Sequence, residues 1–123
     1  MIVALGMDVV AVDRIRRLVA PECGPRATRF LERCFTEAER AYCDARRDPA
    51  THYAARFAAK EAAMKALGAS RFTDFEITRG DGAPSLTLHG AAAAAQAKLG
   101  GRVHLTLTHD AGVAAAVVVL EAP

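Results

Sequence analysis

The chain has 123 residues, a length typical of one domain, and we expect residues 1–123 to form a single domain. Charged residues make up 24% of the chain and the net charge is +2, which excludes a disordered chain and argues against a nucleic-acid binder. The longest apolar run covers 111–120, half of the about 20 residues that a membrane-spanning helix needs, and the first residues lack the basic region of a signal peptide. Three cysteines, spaced like neither a zinc site nor a redox pair, predict reduced thiols in a cytoplasmic protein.

The predicted elements alternate between apolar strands and alanine-rich helices. In chain order they are a strand over 2–12, a helix over 13–19, a loop over 21–25, a helix over 36–46, a helix over 50–67, a hairpin over 72–88 with its turn at 80–82, a helix over 91–99, and a second hairpin over 103–120. Asp13 is expected to cap the first helix, and Thr36 with Glu39 matches a capping box. Pro49 begins the long helix and Gly68 ends it.

This order predicts the α+β class: a largely antiparallel sheet packed against a long central helix. Alanine accounts for 28 residues, which predicts closely packed helices. Because few large apolar side chains remain for the core, contacts between copies would supplement it.

The long helix places charge where a core should lie. Lys60 falls inside the stripe of large apolar residues that Tyr53, Phe57 and Met64 define, and Glu61 falls at the edge of that stripe. Since an unpaired buried charge costs several kcal/mol, both side chains need partners. Two interpretations stay open: a functional site, or ion pairs that fix the helix in place.

Asp8 interrupts an apolar strand in the same way. Gly6 lies on the same face of the strand, so a ligand or metal could approach the backbone there. Asp8 and Glu61 together would supply two carboxylates to Mg²⁺, which completes its coordination with water and substrate phosphate. The chain has no Walker loop and no GxGxxG motif, so magnesium-dependent phosphoryl chemistry would use another site. The alternative is an aspartate that caps a nearby helix.

Two further features have a functional and a structural interpretation. His109 ends a strand beside a turn, where it would contact a ligand or serve as a half-buried structural histidine. Residues 14–33 hold six arginines and two glutamates, which suits an acidic or phosphorylated partner or a solvated helix face.

Four segments resemble the holo-acyl-carrier-protein synthases. Gly6-Met7-Asp8 with Arg14 resembles the opening GxD…R segment of the family, and the run RFAAKEAAMKALG over 56–68 resembles its central signature. The segments 84–91 and 105–110 are similar to its P-x-x-x-L-x-G and SxSH motifs, although Thr106 and Thr108 stand where family members often carry serine. The matches run in family order over nearly the whole chain.

The resemblance implies the 4′-phosphopantetheinyl transferase fold and an enzyme of the small bacterial stand-alone type. Such an enzyme moves the 4′-phosphopantetheine arm of coenzyme A to a serine of apo acyl carrier protein, in fatty acid biosynthesis, and releases adenosine 3′,5′-bisphosphate. The resemblance also implies a homotrimer with active sites between subunits. Arg14 and Arg17 would dock the acidic carrier protein.

Carried over by position, the resemblance assigns Mg²⁺ to Asp8 and Glu61, and catalysis to Asp8, Glu61 and Lys65. It assigns coenzyme A binding to a larger set: Arg56, Lys60, Lys65, Gly68 and His109. Glu61, Asp8 and a metal-bound water remain candidates for the base. The alternative functions are a non-catalytic module that binds coenzyme A or acyl carrier protein, and an unrelated Mg²⁺-dependent phosphohydrolase.

Overall fold

The computed structural model describes residues 1–79 and 82–123 and places ten helices and strands in them. They are β1 (Ile2–Ala11), α1 (Val12–Val19), α2 (Pro25–Cys34), α3 (Glu37–Asp44), α4 (Pro49–Leu67), β2 (Phe75–Thr78), β3 (Ser85–Leu88), α5 (Gly90–Leu99), β4 (Arg102–Asp110) and β5 (Val113–Glu121). Short 3₁₀ turns cover Pro21–Cys23 and Phe72–Asp74. No helix of the described ranges combines the length and the apolar character that crossing a membrane requires.

The strands form two antiparallel sheets, which confirms the predicted α+β class. One sheet has the order β1-β5-β4, and the other pairs β2 with β3. In the larger sheet Asp8 lies opposite Ala116, which in turn lies opposite Leu107. β1 and β4 are therefore the two edges, separated by β5.

Helix α4 is the core of the molecule and is buried on nearly all sides. It contacts β1 and β5 on one side and α1 and α3 on the other. Gly6 makes the contact with β1 possible, because a Cβ on Gly6 would overlap the carbonyl oxygen of Ala62. The partner that approaches the backbone at Gly6 is thus the helix itself rather than the ligand or metal that the sequence suggested.

Local signals set several element ends. The Thr36 hydroxyl accepts from the Glu39 backbone N–H while the Glu39 carboxylate accepts from the Thr36 N–H, so the capping box is confirmed. α4 ends at Gly68, whose φ of +98° few other residues adopt. Asp13 lies inside the first turn of α1 and makes no cap, since Ala11 occupies the N-cap position. The predicted cap at Asp13 is therefore wrong.

Three predictions on the irregular segments need correction or fall outside the described ranges. Residues 25–34, which the sequence did not assign to a helix, form α2 with Pro25 at its start. Of the turn expected at 80–82, residues 80 and 81 lie outside the described residues. The strand expected from residue 72 begins at Phe75, after a 3₁₀ turn.

Candidate active site

Asp8 and Lys65 meet at the edge of the sheet where β1 faces α4. The Lys65 ammonium nitrogen Nζ lies 3.2 Å from Asp8 Oδ1 and donates a 2.8 Å hydrogen bond to the carbonyl oxygen of Met7. The Asp8 side chain is 19% exposed, whereas that of Lys65 is 55% exposed. Solvent therefore reaches this pair, and a ligand phosphate could reach it as well.

Glu61 lies one helical turn before Lys65, on the same side of α4. It is half-buried, and no cation of the described residues pairs with it. Lys65 thus meets Asp8 at the β1 edge, and the helical spacing places Glu61 on the side of α4 that carries Lys65. The catalytic role that the resemblance gave Asp8, Glu61 and Lys65 stays a prediction.

The donor set at this edge fits Mg²⁺ better than a structural metal. The described residues contain no group of three or more histidine, cysteine, aspartate or glutamate side chains that would enclose an ion. Two carboxylates are what Mg²⁺ uses where water and substrate phosphates fill its other positions. Asp8 and Glu61 are the residues that would hold such an ion.

A second, basic site lies at the opposite edge of the sheet, where α4 faces β4. A cavity of about 200 Å³ is lined by His52, Arg56, Arg79, Thr108 and His109, among others. Arg56 is 4% exposed, its guanidinium carbon lies 4.2 Å from the centre of the Tyr42 ring, and its Nε has no hydrogen-bond partner.

Burying a guanidinium group without a carboxylate partner costs several kcal/mol unless another anion pairs with it. In residues 1–79 and 82–123 no carboxylate pairs with Arg56. Arg56 and His109, both predicted to bind coenzyme A, thus share one cavity that suits a phosphate group.

Lys60 does not fit the role that the resemblance gave it. Its Nζ is fully buried and donates to Glu39 Oε1 at 2.7 Å, to the Phe72 carbonyl at 3.0 Å and to the Phe75 carbonyl at 2.7 Å. All three N–H groups of the ammonium are used, and solvent does not reach it. We therefore correct the prediction: Lys60 is a structural residue that pairs within the core, and it cannot contact coenzyme A.

Gly68 lies three residues after Lys65 and is exposed. Its N–H donates to the Met64 carbonyl at 2.8 Å, which closes the last turn of α4. The left-handed conformation explains the glycine without any ligand. Its predicted contact with coenzyme A stays a prediction.

The arginine-rich stretch forms a basic surface on α1 and α2. Arg14 and Arg17 are three residues apart, so they share one face of α1. Arg16 is engaged elsewhere, because it makes two hydrogen bonds of 2.8 and 3.1 Å to Asp48. A groove of about 720 Å³ continues from Arg17 onto α2. The α2 arginines along it are Arg26, Arg29 and Arg33.

Two residues were not predicted in their roles, one in the basic cavity and one in the core. His52 received no role, although it precedes Arg56 by four residues and so shares its side of α4. That spacing could have identified it. Glu39 was interpreted only as a cap, because its pairing with Lys60 depends on how α3 packs against α4.

The sequence of this chain is similar to known proteins of one family. A family model described as the 4′-phosphopantetheinyl transferase superfamily matches residues 4–118. A protein of Anaeromyxobacter sp. (strain K) named holo-[acyl-carrier-protein] synthase is 63% identical over 127 aligned positions, which cover 98% of this chain and 97% of that protein. A protein of the same name from Myxococcus xanthus (strain DK1622) is 52% identical and covers 95% of this chain and 93% of its own length.

Solved structures agree with these sequence matches. The crystal structure of a holo-(acyl-carrier-protein) synthase from Bacillus anthracis str. Ames in complex with CoA (3′,5′-ADP) superimposes with a TM-score of 0.78 at 32% identity and covers 100% of this chain and 99% of that one. The Helicobacter pylori holo-[acyl-carrier-protein] synthase in complex with coenzyme A gives a TM-score of 0.78 at 31% identity, over 95% of this chain and 99% of its own. This chain belongs to the 4′-phosphopantetheinyl transferase superfamily. The resemblance to the holo-acyl-carrier-protein synthases within it is confirmed.

Proposed function

We propose that this chain transfers the 4′-phosphopantetheine arm of coenzyme A to a serine of apo acyl carrier protein. The observation that carries the proposal is the contact of Lys65 with Asp8 at the β1 edge of the sheet, with Glu61 one helical turn before Lys65 on the same side of α4. Two carboxylates and an ammonium group suit a pyrophosphate with a divalent cation. The relatives named holo-[acyl-carrier-protein] synthase, and the relatives solved with coenzyme A, support this choice of substrates.

In the proposed reaction the serine Oγ of the carrier protein attacks the β-phosphorus of coenzyme A, the one that bears pantetheine. The bond from that phosphorus to the bridging oxygen breaks, and adenosine 3′,5′-bisphosphate leaves. The serine proton passes to a base, for which Glu61 and Asp8 are the side-chain candidates. Lys65 would offset the charge that develops on the bridging oxygen.

Asp8 and Glu61 would also hold Mg²⁺, which when bound supplies electrostatic stabilisation of the pyrophosphate. In that state the Lys65 ammonium, now 3.2 Å from Asp8, would turn to the phosphates. The exposure of Lys65 leaves its side chain free to move.

Arg56 and His109 would bind a phosphate group of coenzyme A in the basic cavity at the β4 edge. That edge is separated from Asp8 by one strand, β5, so two inter-strand spacings, about 10 Å in all, lie between the two halves of the site. One chain therefore presents the halves on opposite edges. Neighbouring copies would bring the β1 edge of one to the β4 edge of the next.

The outer face of the large sheet offers the surface for such an assembly. Leu5, Met7 and Val9 are 62%, 55% and 54% exposed, and Val113 on β5 adds to the patch. A continuous apolar sheet face of this kind marks a protein interface. We propose that copies of this chain cover it in a homotrimer, the closed ring that the resemblance implies.

Acyl carrier protein would dock on the surface that Arg14 and Arg17 form, because arginines outnumber carboxylates over 14–33 and attract an acidic partner. Arg16 contributes little to it, since Asp48 neutralises its charge. The groove that leads to α2 would extend the contact.

We assign the reaction to fatty acid biosynthesis in the cytoplasm. The cysteines support a reducing compartment, because Cys34 and Cys43 are buried as free thiols. Burial raises the pKa of Cys43 to about 12, which keeps it protonated and unreactive.

The proposed function is tested by measuring adenosine 3′,5′-bisphosphate released from coenzyme A with and without apo acyl carrier protein. We expect release only when the carrier protein is present. Equal release without it would make the chain a phosphohydrolase, and binding of coenzyme A with no release would make it a binding module. Either of these results contradicts the transferase.

A further inference from the structure

His52 is the residue of the basic cavity that neither the sequence motifs nor the proposed mechanism uses. Its ring centre lies 6.2 Å from that of His109, and both rings line the cavity with Arg56. The centre of the Tyr42 ring lies 6.0 Å from that of His52, in an edge-to-face contact. His52 is half-buried, so its imidazole is held in place and still reaches the cavity.

The groups that face His52 are mostly cationic. They are Arg56 on its own helix, His109 on β4 and Arg46 after α3, with Asp48 as the carboxylate. Asp48 is already engaged, because it accepts hydrogen bonds from Arg16 and from the Thr51 hydroxyl. Burial, assisted by Arg56 and His109, therefore keeps the pKa of His52 below its usual value.

An anion in this cavity would act on the pKa of His52 in the opposite direction and raise it. The cavity, about 200 Å³, is smaller than the roughly 300–1,000 Å³ of sites that enclose a whole small molecule, so it suits one terminal group. Arg56 contributes a buried guanidinium group whose Nε has no partner, which independently points to an absent anion. A phosphate placed there would lie beside His52 and favour its protonated form.

We propose that His52 is a further phosphate-binding residue of this cavity and takes up a proton when a phosphate group of coenzyme A enters. This inference rests on the proposed function, because that function identifies the ligand. Free His52 is neutral at pH 7, and the bound phosphate raises its pKa. Affinity for coenzyme A therefore rises as the pH falls from the pKa of His52 in the complex to its pKa in the free protein. Above the pKa of His52 in the complex, the imidazole is neutral in both states and its contribution to affinity disappears.

The test is isothermal titration of the full chain with coenzyme A from pH 6 to 8.5, in buffers of different ionisation enthalpy. We expect His52→Gln to weaken binding several-fold at pH 6, because a pKa change of about one unit is worth at most about tenfold and reaches that limit only below both pKa values, and less than twofold at pH 8.5. Proton uptake near pH 7 should fall in the same variant. Because wild type and variant bind the same ligand, titration of the ligand phosphate changes both affinities equally. It therefore cancels in the ratio of the two dissociation constants at each pH.

Two variants separate this role from a structural one. His52→Arg keeps a permanent positive charge, so it should retain affinity and flatten the pH dependence relative to wild type. His89→Gln removes an exposed histidine outside the cavity and should match wild type. A His52→Gln variant with the pH dependence of wild type would overturn the inference, whereas a wild type that fails to bind coenzyme A would overturn the proposed function instead.

Discussion

Lys60 and Glu39 form an ion pair in the interior of the protein, with 2.7 Å between Nζ and Oε1 and no solvent exposure of either side chain. Glu39 also accepts from the backbone N–H groups of Thr36 and Ile77, so one carboxylate joins α3, α4 and β2. Glu61 follows Lys60 directly in the chain. The pair therefore helps to fix the rotation of α4, the helix whose Lys65 contacts Asp8 at the β1 edge.

Removing one member of this pair should be strongly destabilising. Lys60→Met leaves the buried Glu39 carboxylate without a counter-charge, and we expect a loss of about 3–5 kcal/mol in the free energy of unfolding. Urea denaturation measures it. Lys98→Met, on the exposed part of α5, should stay within about 0.5 kcal/mol of wild type. A loss at Lys60 as small as that of the control would contradict the structural role.

The contact between Gly6 and α4 gives a second stability prediction. A methyl group at Gly6 would overlap the Ala62 carbonyl, so the helix must move away from β1. We expect Gly6→Ala to cost about 1–3 kcal/mol, as overpacking does. Gly82→Ala is the matched control, because open space surrounds that position. Equal melting temperatures of the two variants would show that α4 does not pack on Gly6.

Several parts of this fold and site were predictable from the sequence because the signal was local. Thr36 and Glu39 are three residues apart, and Asp8 and Lys60 are conspicuous as charges in apolar patterns. What those charges contact depends on packing, which no local pattern contains. The sequence therefore left Lys60 open between a ligand and a partner, and only the approach of α3 to α4 distinguishes the two.

Helix α2 was missed for a different reason. Gly24 and Pro25 are turn residues in most contexts, and here Gly24 adopts a positive φ of 57° just before Pro25 begins the helix. The same two residues fit a loop and a helix start. Without α2, the groove beside Arg17 was not predictable, although its arginines were visible as a cluster.

The apolar outer face of the sheet predicts a defined oligomer. Sedimentation or light scattering should give about 39 kDa, three times the 13.0 kDa of one chain. Leu5→Lys places a charge in the proposed interface, so we expect monomers and loss of transfer, because the two halves of the site separate.

Thr87→Lys is the control for the assembly, since Thr87 is exposed on the separate two-stranded sheet. It should leave both mass and activity unchanged. A monomeric wild type with full activity would show that one chain holds a complete site.

The basic face of α1 predicts a selective effect on the carrier protein. Arg14→Glu should weaken binding of acyl carrier protein about tenfold at low salt, while affinity for coenzyme A changes less than twofold. Surface plasmon resonance measures the first and isothermal titration the second. Lys98→Glu, the same charge change on α5, should affect neither. An equal loss for both ligands in Arg14→Glu would contradict a docking role.

Intact-mass spectrometry of apo acyl carrier protein measures the proposed transfer itself. After incubation with this chain, coenzyme A and Mg²⁺, we expect a mass gain of one phosphopantetheine, which is absent with EDTA and absent when the acceptor serine of the carrier is alanine. Asp8→Asn and Glu61→Gln should remain folded and give no gain. A carrier protein of unchanged mass in the presence of wild type, coenzyme A and Mg²⁺ would rule out the transferase.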